Sequence, residues 1–254
     1  GYVGGVQCDP IEKKPFFHAY PGELAYSFGM LGCDLHCSYC QNYISSQTLR
    51  DPLASALPKN TTAKSLVNSA ETYGAQVMVS TYNEPLITSE WAVEVFKEAR
   101  KNRMVTGFVS NGNGTMEVLK YLEPWVDLYK VDLKSFDDRH YRKLGGRIMP
   151  ILETIESLHN MDFWLEIVTL LIPGFNDTEE ELHRLTSFIS SLSPNIPWHV
   201  TAFHKDYKMT DPALNKIRSF IPTFGSIDIS PVILILLLMF LRNIIFEIFA
   251  PGLF

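Results

Sequence analysis

The chain has 254 residues, enough for one large domain with a well-buried core. Acidic residues number 28 against 22 basic, a formal net charge of -6, so the electrostatic footprint of a nucleic-acid binder is missing. The basic clusters Lys13/Lys14 and Arg100 to Arg103 are short and read as solvated faces, and no nucleic-acid partner is expected.

In chain order, residues 1–20 read as an N-terminal extension ending in the aromatic run Phe16, Phe17, His18 and Tyr20, expected to pack at the lower end of the core. Strand-like runs follow at 24–30, 76–80, 104–109, 126–133, 163–171 and 198–203. Helical patterns lie between them. Ala63, Leu66, Val67 and Ala70 recur at helical spacing after Thr61/Thr62, with Gly74 as the stop. Asp177 with Glu180 resembles a capping box ahead of Leu182, Leu185, Phe188, Ile189 and Leu192. Six strands alternating with helices predict parallel β/α units, hence an α/β fold built as an open sheet or a partial barrel. The core is expected over 21–221, followed by an atypical tail over 222–254.

The stretch FGMLGCDLHCSYCQN carries Cys33, Cys37 and Cys40 in the arrangement C-x-x-x-C-x-x-C. Three thiolates on so short a loop suit three corners of a [4Fe-4S] cluster, leaving one iron without a protein ligand. The competing reading is zinc, which wants four ligands. Only Cys8 and His36 stand ready as a fourth, and His36 abuts Cys37. Gly29 and Gly32 suit a tightly curled backbone, and Tyr39 places an aromatic face before the last cysteine. With three cysteines on iron, no pair remains for a disulfide; Cys8 reads as a free thiol, no signal peptide is read, and a cytoplasmic location is expected.

Most of the polar residues of interest fall where apolar strands end. Asn83 and Glu84, Ser110 and Asn111, Asp132 and Lys134, and His204 each close such a run, and in β/α barrels that rim carries the chemistry. Asp132 and Lys134 share a strand face; they are read either as ligand contacts or as a structural ion pair. Glu166 lies within an apolar run and must face a polar cavity or a cation, the cavity being the preferred reading.

The cysteine signature, with KPFFHAYPGELAYSFGMLGC, STYNEP, FVSNGN, YKVDLKSFDDRHYRKLGG, TLLIPGFNDTEEEL and PWHVTAFHKDYKM, resembles the radical S-adenosylmethionine (SAM) enzymes. Within them it looks like the AmmeMemoRadiSam-system branch, related to pyruvate formate-lyase activating enzymes. The resemblance implies a radical SAM partial (β/α)6 TIM-type barrel, a [4Fe-4S] cluster held by Cys33, Cys37 and Cys40, and SAM. It implies cofactor contacts from Tyr39, Tyr82, Asn83, Glu84, Ser110, Asn111, Asp132, Lys134, Glu166 and His204. Tyr82-Asn83-Glu84-Pro85 takes the place of a Gly-Gly-Glu-Pro stretch that holds the SAM amino group, with the Asn83 side chain a candidate contact. Asp132 and Lys134 take the place of residues reaching the SAM ribose and carboxylate. The implied activity is that of an oxidoreductase: reductive cleavage of SAM to a 5′-deoxyadenosyl radical, with activase-like hydrogen abstraction from a protein to leave a glycyl radical, fed by a one-electron donor such as flavodoxin or ferredoxin. The alternatives are modification of a small molecule or RNA and, from another class, a non-catalytic zinc-binding interaction module.

After Ile221 the resemblance ends. The apolar run Val232 to Leu241 is shorter than the roughly 20 residues a spanning helix needs, and Arg242, Asn243 and Glu247 interrupt its extension. A membrane anchor is not expected; the tail breaks with the rest of the chain as a shifted reading frame would. Relatives of this kind carry further sequence ahead of Gly1, so the chain is read as a fragment at its start too.

Overall fold

A computed structural model describes residues 1–161, 163–204 and 207–209. Two compact units result, Gly1–Phe203 and His204–Phe254. In the second, only His204 and a 3-10 turn at Tyr207–Met209 are described; the expected boundary at 221 and the tail lie outside the described residues.

The first unit begins with β1 (Tyr2–Val3) and β2 (Gly5–Pro10), then β3 (Leu24–Gly29), a short helix α1 (Tyr43–Ser46) and β4 (Lys59–Asn60). Alternation follows: α2 (Ala63–Thr72), β5 (Val77–Ser80), α3 (Ser89–Lys101), β6 (Val105–Ser110), α4 (Met116–Leu122), β7 (Leu128–Asp132), α5 (Asp138–Leu144), α6 (Ile148–Asn160), β8 (Trp164–Leu171), α7 (Glu179–Leu192) and β9 (Trp198–Ala202). The main sheet runs β2-β3-β5-β6-β7-β8-β9, parallel throughout except for β2, which pairs antiparallel with β3. The six parallel strands are the six expected, curled as a partial barrel. The edge strand β2 was not expected: it stitches part of the N-terminal extension into the sheet through the register Gly5↔Gly29 to Pro10↔Leu24.

Strand alternation divides the core in two. Outward-facing Tyr26, Phe28, Met78, Phe108, Tyr129, Val131 and Ile167 pack on the buried stripes of the helices, including Val67, Phe96, Leu122, Ile155 and Leu185. Each such side chain contributes about 1.5–3 kcal/mol on burial. Facing inward, Ala25, Val77, Val79 and Leu128 enclose Phe16, which plugs the barrel at its amino end. Of the aromatic run only Phe16 is buried; Phe17, His18 and Tyr20 are exposed.

Helix starts follow local chemistry. The Thr62 side chain accepts from Ser65 N to open α2, and Gly74, at φ 73°, ends it. For α7 the cap is Thr178, accepting from Glu181 N, one residue later than expected. Asp177 instead accepts from Gly174 N, and the Glu181 carboxylate is held by Ser135 Oγ and Phe136 N.

Candidate active site

At the carboxyl ends of the strands lies a cavity of about 570 Å³, within the range of small-molecule and cofactor sites. Its lining includes Cys33, Cys37, Cys40, Tyr39, Tyr82, Asn83, Glu84, Ser110, Asn111, Asp132 and Lys134. Two expected residues are not among them. Glu166 shares an inward strand face with Val168 and Leu170, which do line the cavity, but sits one step toward the amino end, where backbone and ring N–H groups hold it. His204 falls in the second unit.

The cysteine loop is fixed from several sides. Its backbone bends at Gly32, φ 100°, where only glycine is at ease. A Cβ on Gly29 would lie 2.0 Å from Thr81 O, so that glycine serves the crossing of β3 and the β5 end rather than a cofactor. The loop carbonyls receive Gln47 Nε2 on Leu35 O at 3.1 Å and an Arg50 guanidinium N–H on Cys33 O. Asp34, a residue the motifs did not single out, accepts from Asn111 Nδ2 at 2.7 Å and Asn113 Nδ2 at 2.6 Å, tying the loop to the end of β6. Cys40 Sγ and Ser46 Oγ are 3.2 Å apart. Leu35, Cys37 and Tyr39 pack with Leu144 and Ile172, and the Tyr39 ring meets Phe175 edge-on at 6.0 Å.

Glu84 is the anchor between β5 and β6. Its carboxylate accepts from Ser110 Oγ at 2.7 Å, Asn111 N at 2.8 Å and Leu86 N at 3.0 Å. Burial, with the Asp34 charge adding, pushes its carboxyl up to about 7 despite those donors. Asn83 locks the adjoining turn: Oδ1 accepts from Met30 N, and Nδ2 donates to Glu84 O and Thr88 Oγ1. Tyr82 has φ 73°, a left-handed conformation that favours glycine, which accounts for the glycine in the motif it replaces. Its hydroxyl pairs with Lys14 Nζ at 2.8 Å, Ser27 Oγ at 2.6 Å and Gln7 Oε1 at 3.0 Å.

Asp132 lies between two cations, hydrogen-bonded to Lys130 and 3.6 Å from Lys134 Nζ. Burial would raise its carboxyl, yet Lys130 and Lys134 together hold it below the usual range. Burial likewise works against the Lys134 charge, but Asp132 and Cys37 keep that ammonium above its ordinary value. Asp132 and Lys134 thus form an ion pair, and that pair lines the cavity. Lys130 also lines it and was missed, being hidden inside an apolar strand.

The donor set fits the implied cofactors. Three sulfur donors line one cavity, and the Tyr39 hydroxyl beside them has no nitrogen or oxygen partner among the described residues. Burial, reinforced by Glu84 and Asp34, pushes the Cys33 thiol up, and burial does the same to Cys37; a bound cationic centre reverses that preference toward thiolate.

Comparison with known proteins agrees. The sequence model of the radical SAM superfamily matches residues 29–186. A second, described as CCB3/YggT, matches residues 149–249, less than half of the chain; its described part folds here as α6, β8, α7 and β9. An uncharacterized protein of Methanocaldococcus jannaschii is 32% identical over 83% of this chain, which spans 62% of that relative's length. A pyruvate formate-lyase-activating enzyme of Staphylococcus epidermidis is 29% identical over 73% of this chain and 78% of its own. Among solved structures, SuiB of Streptococcus suis superposes with a TM-score of 0.54 at 13% identity, covering 88% of this chain and 46% of that one. TYW1 with a lysine-pyruvate adduct gives 0.52 at 17% identity, covering 82% and 74%. These two likenesses speak for the fold alone. Among the described residues no helix is long and apolar enough to cross a membrane. With the superfamily model covering well over half of the sequence, the chain belongs to the radical SAM superfamily, whose members use a [4Fe-4S] cluster and S-adenosylmethionine.

Proposed function

We propose that the protein is an activase-type radical SAM enzyme that abstracts a hydrogen atom from a protein partner to leave a glycyl radical. The observation that carries the reading is the gathering of Cys33, Cys37 and Cys40 with Glu84, Ser110, Asn111, Asp132 and Lys134 around one cavity, together with the similarity to a pyruvate formate-lyase-activating enzyme. When bound, the cluster and SAM supply a one-electron reductive cleavage that yields methionine and a 5′-deoxyadenosyl radical.

The chain's own residues hold and shield that chemistry. Cys33, Cys37 and Cys40 are the proposed ligands, and Asp34, Gln47 and Arg50 keep their loop in place. Lys134 presents a cation suited to a carboxylate, and Asp132, flanked by two lysines, stays ionised and can accept from hydroxyls. Glu84 sets the β5 and β6 ends against each other, fixing the cavity wall. Tyr39 and Leu35, with Val168 and Leu170, give the cavity apolar walls that limit water near a reactive radical. A one-electron donor such as flavodoxin or ferredoxin completes the proposal, and the expected cytoplasmic setting suits it.

The test has two stages. Anaerobically reconstituted protein should carry about four irons per chain and release 5′-deoxyadenosine with dithionite and SAM; zinc retained instead of iron, with no nucleoside, favours the binding module. Candidate protein partners should then acquire a glycyl-radical signal in electron paramagnetic resonance. Nucleoside release with no radical on any partner, but with deuterium transferred from a labelled small molecule, moves the substrate to that class.

A further inference from the structure

At the amino end of the barrel, away from the cysteine loop, three potential metal ligands converge from three segments. They are His18 of the strap that follows β2, Glu166 of β8 and His199 of β9, and their ligand atoms all lie within 4.8 Å of one another. His199 Nε2 is 2.6 Å from Glu166 Oε2, and His18 Nδ1 is 3.9 Å from the same oxygen. The imidazole rings face each other at 5.2 Å with 25° between their planes.

We infer that His18, Glu166 and His199 form a site for a divalent first-row transition-metal ion of the zinc class, which clamps the strap onto the barrel base. Two imidazoles and one carboxylate are the ligand types such ions take, and three protein ligands leave a fourth position for water. Metal-ligand distances of about 2.0–2.2 Å require the three atoms to stand roughly 3.5 Å apart, so the His18 ring must swing in by about 1 Å and the 2.6 Å His199–Glu166 pair must open by about as much. His18 can: its side chain is 60% exposed, whereas Glu166 is fully buried.

Glu166 is already oriented as a ligand. Its Oε1 accepts from His18 N at 3.2 Å and Trp164 Nε1 at 3.0 Å, and its Oε2 accepts from Phe17 N at 3.0 Å. Phe17 N takes one lone pair of Oε2, and the other, which His199 Nε2 now faces, is the one a metal would take, with the remaining donors fixing the carboxylate as outer-shell partners do. Charge argues the same way. The register neighbour of Glu166 across the sheet is Lys130, and that ammonium is hydrogen-bonded to Asp132. A buried carboxylate without a fixed cation is costly, and a dication at the two imidazoles supplies one.

The test uses cluster-reconstituted protein, so that the thiols are occupied, with zinc chloride alone as the probe. Calorimetric titration followed by elemental analysis of desalted protein should show one zinc per chain beyond the iron, with a rise in Tm and slower amide exchange at Phe17 and His18. His18→Ala, a change at an exposed side chain, should weaken binding at least tenfold and cancel the rise in Tm; His199→Ala should do the same. Absence of stoichiometric zinc in the wild-type protein overturns the inference. So does unchanged zinc affinity in both variants, since the ion would then sit elsewhere.

Discussion

The two ends of the barrel each hold a buried glutamate, and their surroundings differ in kind. Glu84 at the carboxyl end has Asp34 as a like charge and accepts from a hydroxyl and two backbone amides. Glu166 at the amino end accepts from two backbone amides, an indole and an imidazole, none of them anionic, beneath a strap plugged by Phe16. The carboxyl end is therefore a polar wall held under electrostatic tension around a cavity, and the amino end is a closed joint. Substitutions at the first should act on chemistry, and substitutions at the second on stability.

The largest expected contrast lies in activity. Replacing Cys33, Cys37 or Cys40 singly with alanine should abolish 5′-deoxyadenosine release, whereas Cys8→Ala on β2, facing Tyr26 across the sheet, should leave it unchanged. Equal loss from Cys8→Ala would contradict the proposed ligand set. At the other end, Phe16→Ala should leave the cluster loop intact but cost about 3–5 kcal/mol, the penalty of removing a fully buried aromatic plug. Urea unfolding of the cluster-free protein measures it, and a loss under 1 kcal/mol would mean that the plug carries little of the fold.

The same contrast explains what the sequence made legible. All six parallel strands and the polar residues at their ends could be read in advance, because apolar runs ending in Asn83-Glu84, Ser110-Asn111 or Asp132 and Lys134 are local patterns. What escaped notice is non-local. The strand β2 has no apolar alternation of its own, with Gln7, Cys8 and Asp9 at its centre, and exists through pairing with β3. Asp34 looked like an ordinary loop residue until Asn111 and Asn113 were brought to it. Glu166 was read as facing the polar cavity, which it does not line, because nothing in one strand says which end of a barrel a residue occupies. The register with β7 and the strap of residues 15–18 decide that.

Acidity sharpens the comparison on a smaller scale. Because the Glu84 carboxyl is raised to about 7 in the folded protein from an ordinary value of 4.5, the folded state binds more protons than the unfolded between those limits. Stability of the cluster-free protein should therefore fall as pH rises through that window, by about 3 kcal/mol at most, at 1.36 kcal/mol per pKa unit. Asp34→Asn removes the like charge and should flatten that fall, which urea midpoints from pH 5 to 8 would show. An unchanged slope would remove Asp34 as a contributor.

The smallest expected effect joins the edge strand to the cavity wall. Tyr82→Phe keeps the ring and the left-handed backbone but deletes the hydroxyl that meets Lys14, Ser27 and Gln7. Lys14 is buried and retains its contact to Asp9, 3.1 Å away, and its place over the aromatic ring, 5.0 Å from the centroid, so the loss should be about 1 kcal/mol, the usual net worth of a hydrogen bond with some desolvation left uncompensated. Lys14→Met removes the ammonium instead. If the two side chains act as a unit, the double variant should fall short of the sum of the single losses by about 0.5 kcal/mol or more. Strict additivity would mean that the Tyr82 hydroxyl is held chiefly by Ser27 and Gln7, and that β2 is fastened to the cavity wall through Gln7 without help from Lys14.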